Sequence, residues 1–175
     1  MVRMSVWRQL RAIGPLPGVG ALLIPAALLY LTGGPDVGFG LSLPLGLLPA
    51  LAGAALIGQG LLLMYRTISL FAQAGKGTLA PWDPTQRLVV LGPYRHVRNP
   101  MISGVLSILL GEGLLLGSPA ILGWTLVFFS LNATFIPLFE EPDLVRRFGD
   151  DYVTYRRNVP RWVPRPRPWT LERSD

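Results

Sequence analysis

Residues 99–139 read NPMISGVLSILLGEGLLLGSPAILGWTLVFFSLNATFIPLF, and Glu112 is the only charged side chain among them. About 20 apolar residues are enough to cross the hydrocarbon core of a bilayer, so this stretch has the length of two crossings. Gly117, Ser118 and Pro119 supply a tight turn near its middle. The stretch therefore predicts a helical hairpin of two transmembrane helices, over residues 100–117 and 119–139.

Two earlier stretches, residues 12–35 and 37–65, also lack charged side chains. They predict further spans over residues 17–34 and 41–65. The composition agrees, because half of the residues are apolar and only 15% are charged, whereas soluble domains carry about a quarter charged residues. We expect an all-α polytopic membrane protein of about four transmembrane helices, forming a single domain over residues 1–175. A soluble globular protein is excluded.

The basic side chains are unevenly distributed between the spans. They lie before the first span, between the second and third, and after the fourth, while the connections around Asp36 and Ser118 contain none. Since basic residues favour the cytoplasmic side, both termini and residues 66–99 and 140–175 are expected to be cytoplasmic. Topology thus accounts for the formal charge of +6, and nucleic acid is not an expected partner.

The expected partner is the lipid bilayer. The small size and the strong preference for Arg over Lys point to a multi-pass protein of a bacterial inner membrane. The absence of cysteine excludes disulfides, cysteine zinc sites and a thiol nucleophile, and no metal site is expected.

Small and polar residues within the spans suggest where helices pack. Gly46, Ala50, Ala54 and Gly58 recur every four residues and predict one face on which helices approach closely. Glu112 lies inside the third span, where an ionisable residue is a functional candidate by default. The alternative is that Glu112 is a protonated or paired packing residue near the far interface.

A polar loop precedes the third span. Residues 91–100 read LGPYRHVRNP and bring two arginines, a tyrosine, a histidine and an asparagine to the start of a helix. Such a group can hold an anion, because arginine offers planar donors and the helix start offers free amides. The alternative is a belt of side chains that anchors the membrane interface. His96 is expected to be an exposed loop residue.

A second polar segment follows the fourth span, over residues 140–161. It begins with Glu140 and Glu141, and adjacent carboxylates at a membrane interface are costly unless they pair or bind a ligand. The alternative is that these acids and Pro142 simply begin a new helix. The alternation of Pro and Arg over Pro160–Pro168 predicts an extended surface segment.

Two ordered motifs within residues 88–164 carry a resemblance to a known family. They comprise Gly92-Pro93-Tyr94-Arg95, Arg98-Asn99-Pro100-Met101 and Gly104, then Glu140-Glu141, Leu144, Phe148-Gly149, Tyr152, Tyr155 and Val159-Pro160-Arg161. Together they resemble the isoprenylcysteine carboxyl methyltransferase family, with its relatives among phospholipid N-methyltransferases. This chain has Asn99 and Ile102 where that family usually has His and Tyr.

The resemblance implies a methyltransferase of EC 2.1.1 type that uses S-adenosylmethionine at the membrane. The implied acceptor is amphiphilic: an isoprenylcysteine-like carboxylate, a thiol or a lipid amine. The implied cofactor-binding residues are Tyr94, Arg95, Arg98, Asn99, Pro100, Gly104, Glu140 and Glu141. The implied catalytic residues are Arg161, Glu141 and Arg156. The alternative function is a non-catalytic membrane anchor, or partner-binding protein, that has lost cofactor binding.

Overall fold

The computed structural model describes residues 18–74 and 88–170, and these two stretches are all-helical without a strand. Residues 1–17, 75–87 and 171–175 lie outside the described residues. The predicted start of the first span, both predicted cytoplasmic termini and part of the predicted loop before the third span fall there.

The described stretches contain helices from residue 19 to residue 158. The α-helices, in chain order, are α1 (Ile24–Leu31), α2 (Leu47–Ala74), α3 (Pro100–Leu115), α4 (Pro119–Phe135), α5 (Glu141–Phe148) and α6 (Asp150–Asn158). A π-helical turn at Val19–Leu23 leads into α1, and a second one at Ile136–Glu140 joins α4 to α5. Gly92–Arg95 forms a 3-10 turn in the loop before α3.

Two helices are long and apolar enough to cross a membrane. They are Leu47–Leu70 within α2 and the continuous helix Pro119–Phe148, which runs from α4 into α5. The helices Val19–Leu31 and Pro100–Leu115 are apolar but shorter. The all-α prediction is thus confirmed, and two of the predicted spans have helices of sufficient length. The first and third predicted spans coincide with the shorter helices.

The second predicted span differs from the observed helix at both ends. The prediction covers residues 41–65, whereas α2 begins at Leu47 and continues to Ala74. The prediction stopped at Arg66 because charge marks the membrane boundary, but arginine is a good helix former and does not end a helix. The first nine residues of the predicted loop 66–99 are therefore helical.

Glycine pairs seven residues apart allow α2 and α3 to pack closely, and this is the most extensive helix contact in the described chain. A Cβ atom added at Gly60 would lie 2.6 Å from the carbonyl oxygen of Gly104. Seven residues after Gly104 in α3, a Cβ added at Gly111 would lie 2.6 Å from the carbonyl oxygen of Gly53. Only residues without side chains permit this approach of two backbones.

The predicted packing face of α2 is wrong. Gly58 has no neighbour within 4 Å, and Ala54 is exposed. In a helix with 3.6 residues per turn, positions four residues apart move progressively around the helix. Positions seven residues apart are separated by about two turns and stay on nearly the same face. The actual face therefore follows the seven-residue spacing from Gly53 to Gly60.

The predicted turn between the third and fourth spans is confirmed. Gly117 has a φ of +59°, and a side chain there would collide with the backbone of Asp36. The Ser118 hydroxyl accepts a hydrogen bond from the amide of Ile121, and Pro119 occupies the first turn of α4. The turn thus makes α3 and α4 neighbours, and it brings Pro100 and the end of the π-helical turn to the same end of the hairpin.

Candidate active site

The carboxylate of Glu141 is the centre of a buried ion cluster. Its Oε1 accepts hydrogen bonds from Nη1 of Arg98 at 2.7 Å and from Nε of Arg161 at 2.8 Å. Nη1 of Arg156 lies 3.8 Å from Oε2. Glu141 is 3% exposed, and a carboxylate so buried is tolerated only when other groups compensate its charge. We call Glu141, Arg98, Arg156 and Arg161 the ion cluster.

Four separate elements supply the ion cluster. Glu141 is the first residue of α5, and Pro142 lies in the first turn, which agrees with the alternative interpretation that these residues begin a new helix. Arg98 belongs to the loop before α3, Arg156 to α6 and Arg161 to the tail after α6. The segments are tied together because the amide of Arg98 donates to the carbonyl of Pro160. The two motifs identified in the sequence therefore meet in space.

Two buried donors beside the ion cluster have no hydrogen-bond partner in the described chain. They are Nε of Arg98 and Nδ2 of Asn99. Asn99 precedes α3, and its backbone carbonyl accepts from both the amide and the hydroxyl of Ser103. Buried polar groups in folded proteins are nearly always satisfied. These donors are therefore available to a ligand with acceptor atoms.

Buried tyrosines support the ion cluster from α6. Tyr152 and Tyr155 are each 3% exposed, and the Tyr155 hydroxyl donates to the carbonyl of Tyr94 at 2.7 Å. Burial raises the pKa of both Tyr94 and Tyr155. Burial and the charge of Glu141 raise the pKa of Tyr152 to about 12, although Arg98 opposes this shift. All three phenols therefore stay protonated at neutral pH.

A cavity of about 1200 Å³ lies between α2, α3, α4 and the loop before α3. Its wall is mainly apolar, with Leu56, Leu106 and Phe129 among its members. The cavity adjoins the ion cluster. Val97 and Trp162 line the cavity. Their neighbours in sequence, Arg98 and Arg161, belong to the ion cluster. The cavity and the ion cluster therefore share two short chain segments.

The expectation that His96 is an exposed loop residue is wrong. Its ring is half-buried and lines the cavity, and Nδ1 lies 2.8 Å from the carbonyl oxygen of Arg165. The tail covers this loop through two backbone hydrogen bonds, from Arg165 to His96 and from Trp169 to Arg95. The tail contains no helix over Pro160–Pro168, but it bends at residues 161–163 and 166–167 instead of being simply extended, and it is docked. The aromatic residues among those prolines were the available signal for docking.

The remaining predicted site residues lie in different surroundings. Glu140 is exposed at the end of the π-helical turn. Arg95 donates to the carbonyl of Trp169 and the hydroxyl of Thr170, and it lines the cavity. Pro100 is buried at the start of α3, and Gly104 packs against α2, so the structure gives Gly104 a packing role. Glu112 lies on α3 with one buried carboxylate oxygen that has no partner in the described chain.

No group of three or more His, Cys, Asp or Glu side chains that could hold a metal ion occurs in the part of the chain that the structure describes.

Comparison with known proteins gives two findings. The sequence profile of the phospholipid methyltransferase family matches residues 48–151. The chain is also similar to methanethiol S-methyltransferase 2 of Bradyrhizobium diazoefficiens, with 37% identity over 75 residues. This match covers 41% of the present chain and 27% of the relative. No solved structure matches.

Proposed function

Because this chain belongs to the phospholipid methyltransferase family, we propose that it uses S-adenosylmethionine to methylate an amphiphilic acceptor in the membrane. Membership of the family and the two long apolar helices support a membrane methyltransferase. The observation that supports the cofactor is the pair of unpartnered buried donors, on Arg98 and Asn99, beside the ion cluster.

The residues around the ion cluster fit this cofactor. S-adenosylmethionine presents a carboxylate, an ammonium group and ribose hydroxyls, and when bound it supplies an activated methyl group. The ion cluster contains three guanidinium groups and one carboxylate, so it favours an anion. Arg98 and Asn99 would hold the cofactor's carboxylate. Glu140, exposed next to the ion cluster, would hold the ammonium group or the ribose hydroxyls.

Glu141 has a different part in this proposal from the arginines. Its Oε1 already accepts two hydrogen bonds, from Arg98 and Arg161. It would therefore act by fixing the directions of the guanidinium groups. Arg156 and Arg161, 45% and 27% exposed at their side chains, keep surface with which to orient the acceptor. Correct alignment of acceptor and methyl group is the main requirement of such a transfer.

The cavity supports an amphiphilic acceptor. Several of its lining residues on α2 and α4, including Leu62 and Leu126, are exposed apolar side chains that would face lipid. An apolar tail could enter between these helices while its reactive head reaches the loop before α3. The head would be a carboxylate, a thiol or a lipid amine, and the name of the Bradyrhizobium relative supports the thiol.

We place the site on the cytoplasmic side of a bacterial inner membrane. The proposed topology has four spans, formed by one domain, with both termini in the cytoplasm. The two shorter helices, Val19–Leu31 and Pro100–Leu115, would complete the four spans by packing against the longer ones. The basic residues of the loop and of the tail support this orientation.

Convergence of the charged groups favours a catalyst over a membrane anchor. An anchor would spread its arginines along the bilayer plane to reach headgroups. Here Arg98, Arg156 and Arg161 instead approach one buried carboxylate.

The test is calorimetric binding of S-adenosylhomocysteine to the detergent-purified chain. Arg98→Lys keeps the positive charge next to Glu141 but loses the planar donors, so binding should weaken about 10- to 100-fold, as expected for a charge-assisted hydrogen bond of about 1.5–3 kcal/mol. Arg157→Lys, at an exposed position of α6, is the matched control and should bind as the wild type does. Absence of binding by a folded wild-type sample would overturn the proposal.

A further inference from the structure

The His96 ring has a defined protonation pattern in the structure. Its Nδ1 lies 2.8 Å from the carbonyl oxygen of Arg165. A carbonyl oxygen only accepts hydrogen bonds, so Nδ1 must carry a proton. In the neutral ring, Nε2 then has a lone pair, and it makes no hydrogen bond within the described chain. His96 is therefore equipped to accept a proton at Nε2.

The backbone around His96 is held on both sides. The amide of Arg165 donates to the carbonyl of His96 at 2.9 Å, and the amide of Trp169 donates to the carbonyl of Arg95 at 3.0 Å. The next residue, Val97, is 3% exposed. The loop therefore presents the ring to the cavity in a fixed position, which proton transfer to a bound molecule requires.

The charges on the cavity wall restrict what can bind there. Besides His96, the charged or titratable side chains on the wall are Arg66 and Tyr65 of α2 and Arg95 of the loop. The helices α3 and α4 contribute only hydroxyls and apolar groups, and the described lining contains no carboxylate. Two guanidinium groups without a compensating carboxylate disfavour an ammonium group and favour an anion.

We propose that His96 is the general base of this cavity and removes the proton of a thiol acceptor. In this step Nε2 takes the proton from sulfur, and the sulfur electron pair forms a bond to the donor's methyl carbon. The bond between that carbon and the sulfonium breaks, and its electron pair stays on the donor sulfur. The imidazolium then releases the proton to solvent. The inference rests on the proposed methyltransferase function.

The choice of a thiol as the acceptor follows from which acceptors need a base to remove a proton. A carboxylic acid is already ionised at neutral pH and needs no base, whereas a thiol is mostly protonated, since its pKa is about 8.5 in cysteine and higher in an alkanethiol. An ammonium group also needs a base, but Arg66 and Arg95 repel it. A thiolate formed beside arginines is stabilised by their charge, so an apolar thiol suits this wall.

The first measurement tests the protonation pattern without any cofactor. His96 is the only histidine of the chain, so a sample labelled with ¹⁵N-histidine gives one pair of imidazole signals. At alkaline pH we expect a protonated Nδ1 and an unprotonated Nε2. A proton on Nε2 instead would overturn the inference.

The second measurement compares the wild type with His96→Asn. The asparagine amide can still donate to the Arg165 carbonyl, but it cannot act as a base. With decanethiol as acceptor, the single-turnover rate at pH 7 should fall about 100-fold or more, which is the contribution expected of a general base. The affinity for S-adenosylhomocysteine should not change. The wild-type rate should level off with rising pH, while the variant's rate should keep rising with thiol ionisation.

The outcomes separate this inference from the proposed function. Equal rates and equal pH profiles would mean that His96 is structural, and the inference would be wrong. Methylation of decylamine but not decanethiol by a wild type that binds S-adenosylhomocysteine would also overturn it, as would methylation of neither. Both of those results would leave the methyltransferase proposal in place, whereas absence of S-adenosylhomocysteine binding would remove that proposal itself.

Discussion

The Glu141 carboxylate depends on the guanidinium groups around it. Removing a carboxylate from water costs several kcal/mol, and the attraction of Arg98 and Arg161 at 2.7 and 2.8 Å offsets this cost. The compensation works in both directions, because Arg98 is only 10% exposed at its side chain and would be buried without a counter-charge if Glu141 were neutral.

Substitution of Glu141 by glutamine should therefore destabilise the fold strongly. Glu141→Gln keeps the shape but leaves buried arginine uncompensated, so we expect a loss of about 3–5 kcal/mol in the free energy of unfolding. Denaturant unfolding in detergent would measure it. The control is Asp143→Asn, whose ion pairs to Arg146 and Arg147 span 3.6 and 3.7 Å at an exposed surface. Its effect should stay within about 0.5 kcal/mol, and an equal effect of both substitutions would contradict this view of the ion cluster.

Substitution of Asn99 should affect ligand affinity and protein stability differently. Its side-chain Nδ2 has no partner in the described chain, so Asn99→Ala removes a buried donor without breaking a hydrogen bond. We expect unchanged or slightly higher thermal stability, together with about 3- to 10-fold weaker binding of S-adenosylhomocysteine. Calorimetry and thermal unfolding of one preparation give both numbers. Lower stability with unchanged affinity would assign Asn99 a structural role instead.

The contact between α2 and α3 shows how close two membrane-type helices can approach when glycines face each other. Gly53 and Gly60 of α2 oppose Gly111 and Gly104 of α3. In a bilayer, where lipid tails are as apolar as leucine, such a contact would rely on close packing rather than on the hydrophobic effect. The contact fixes α3, and therefore the position of Arg98 and Asn99 at its start.

A single methyl group should distinguish the two faces of α2. Gly60→Ala would place Cβ 2.6 Å from the Gly104 carbonyl oxygen and 2.7 Å from an Ile108 side-chain carbon, and we expect a loss of about 1–3 kcal/mol. Gly58→Ala meets no atom within 4 Å, and its higher helix propensity should leave stability equal or raised. Thermal unfolding of the two variants provides the comparison. A Gly60→Ala variant as stable as Gly58→Ala would contradict the observed contact.

The packing of α6 predicts sensitivity to alkali. The pKa of Tyr152 is raised to about 12, so between pH 10 and 12 the unfolded chain loses this proton while the folded chain keeps it. Stability should thus be constant below pH 10 and should fall above it by about 1.4 kcal/mol per pH unit for this group. Unfolding measurements from pH 8 to 11.5 test the slope. Tyr152→Phe should show a shallower decline, and an identical decline would show that other groups cause it.

Across the whole molecule, the loop before α3 and the tail after α6 each contribute residues to both the ion cluster and the cavity. Arg98 and Arg161 face the ion cluster, while Val97 and Trp162, their direct neighbours in sequence, line the cavity. If the proposed sites are correct, a polar donor at the ion cluster and an apolar acceptor in the cavity would bind next to each other.

The sequence predicted those features that depend on local chemistry. The turn at Gly117-Ser118-Pro119 and the helix start at Glu141-Pro142 follow from residues with strong positional preferences. The family resemblance carried by the two motifs also implied that Arg98 and Glu141 belong to one site.

Features that depend on tertiary contacts were not accessible from the sequence. The α2 face was misassigned because a row of small residues does not say which of its members meets a partner helix. His96 was misplaced because its surroundings are created by Arg165, 69 residues later in the chain. The tail likewise docks through hydrogen bonds between residues far apart in the sequence.

Hydrogen exchange of the full-length chain, with and without saturating S-adenosylhomocysteine, tests the central claim most directly. If the donor binds beside the ion cluster, amides in peptides covering residues 94–104 and 141–161 should exchange more slowly in its presence. Amides of residues 47–58, at the opposite end of α2, should be unaffected. Unchanged exchange in both motif regions, or protection confined to residues 47–58, would contradict the account.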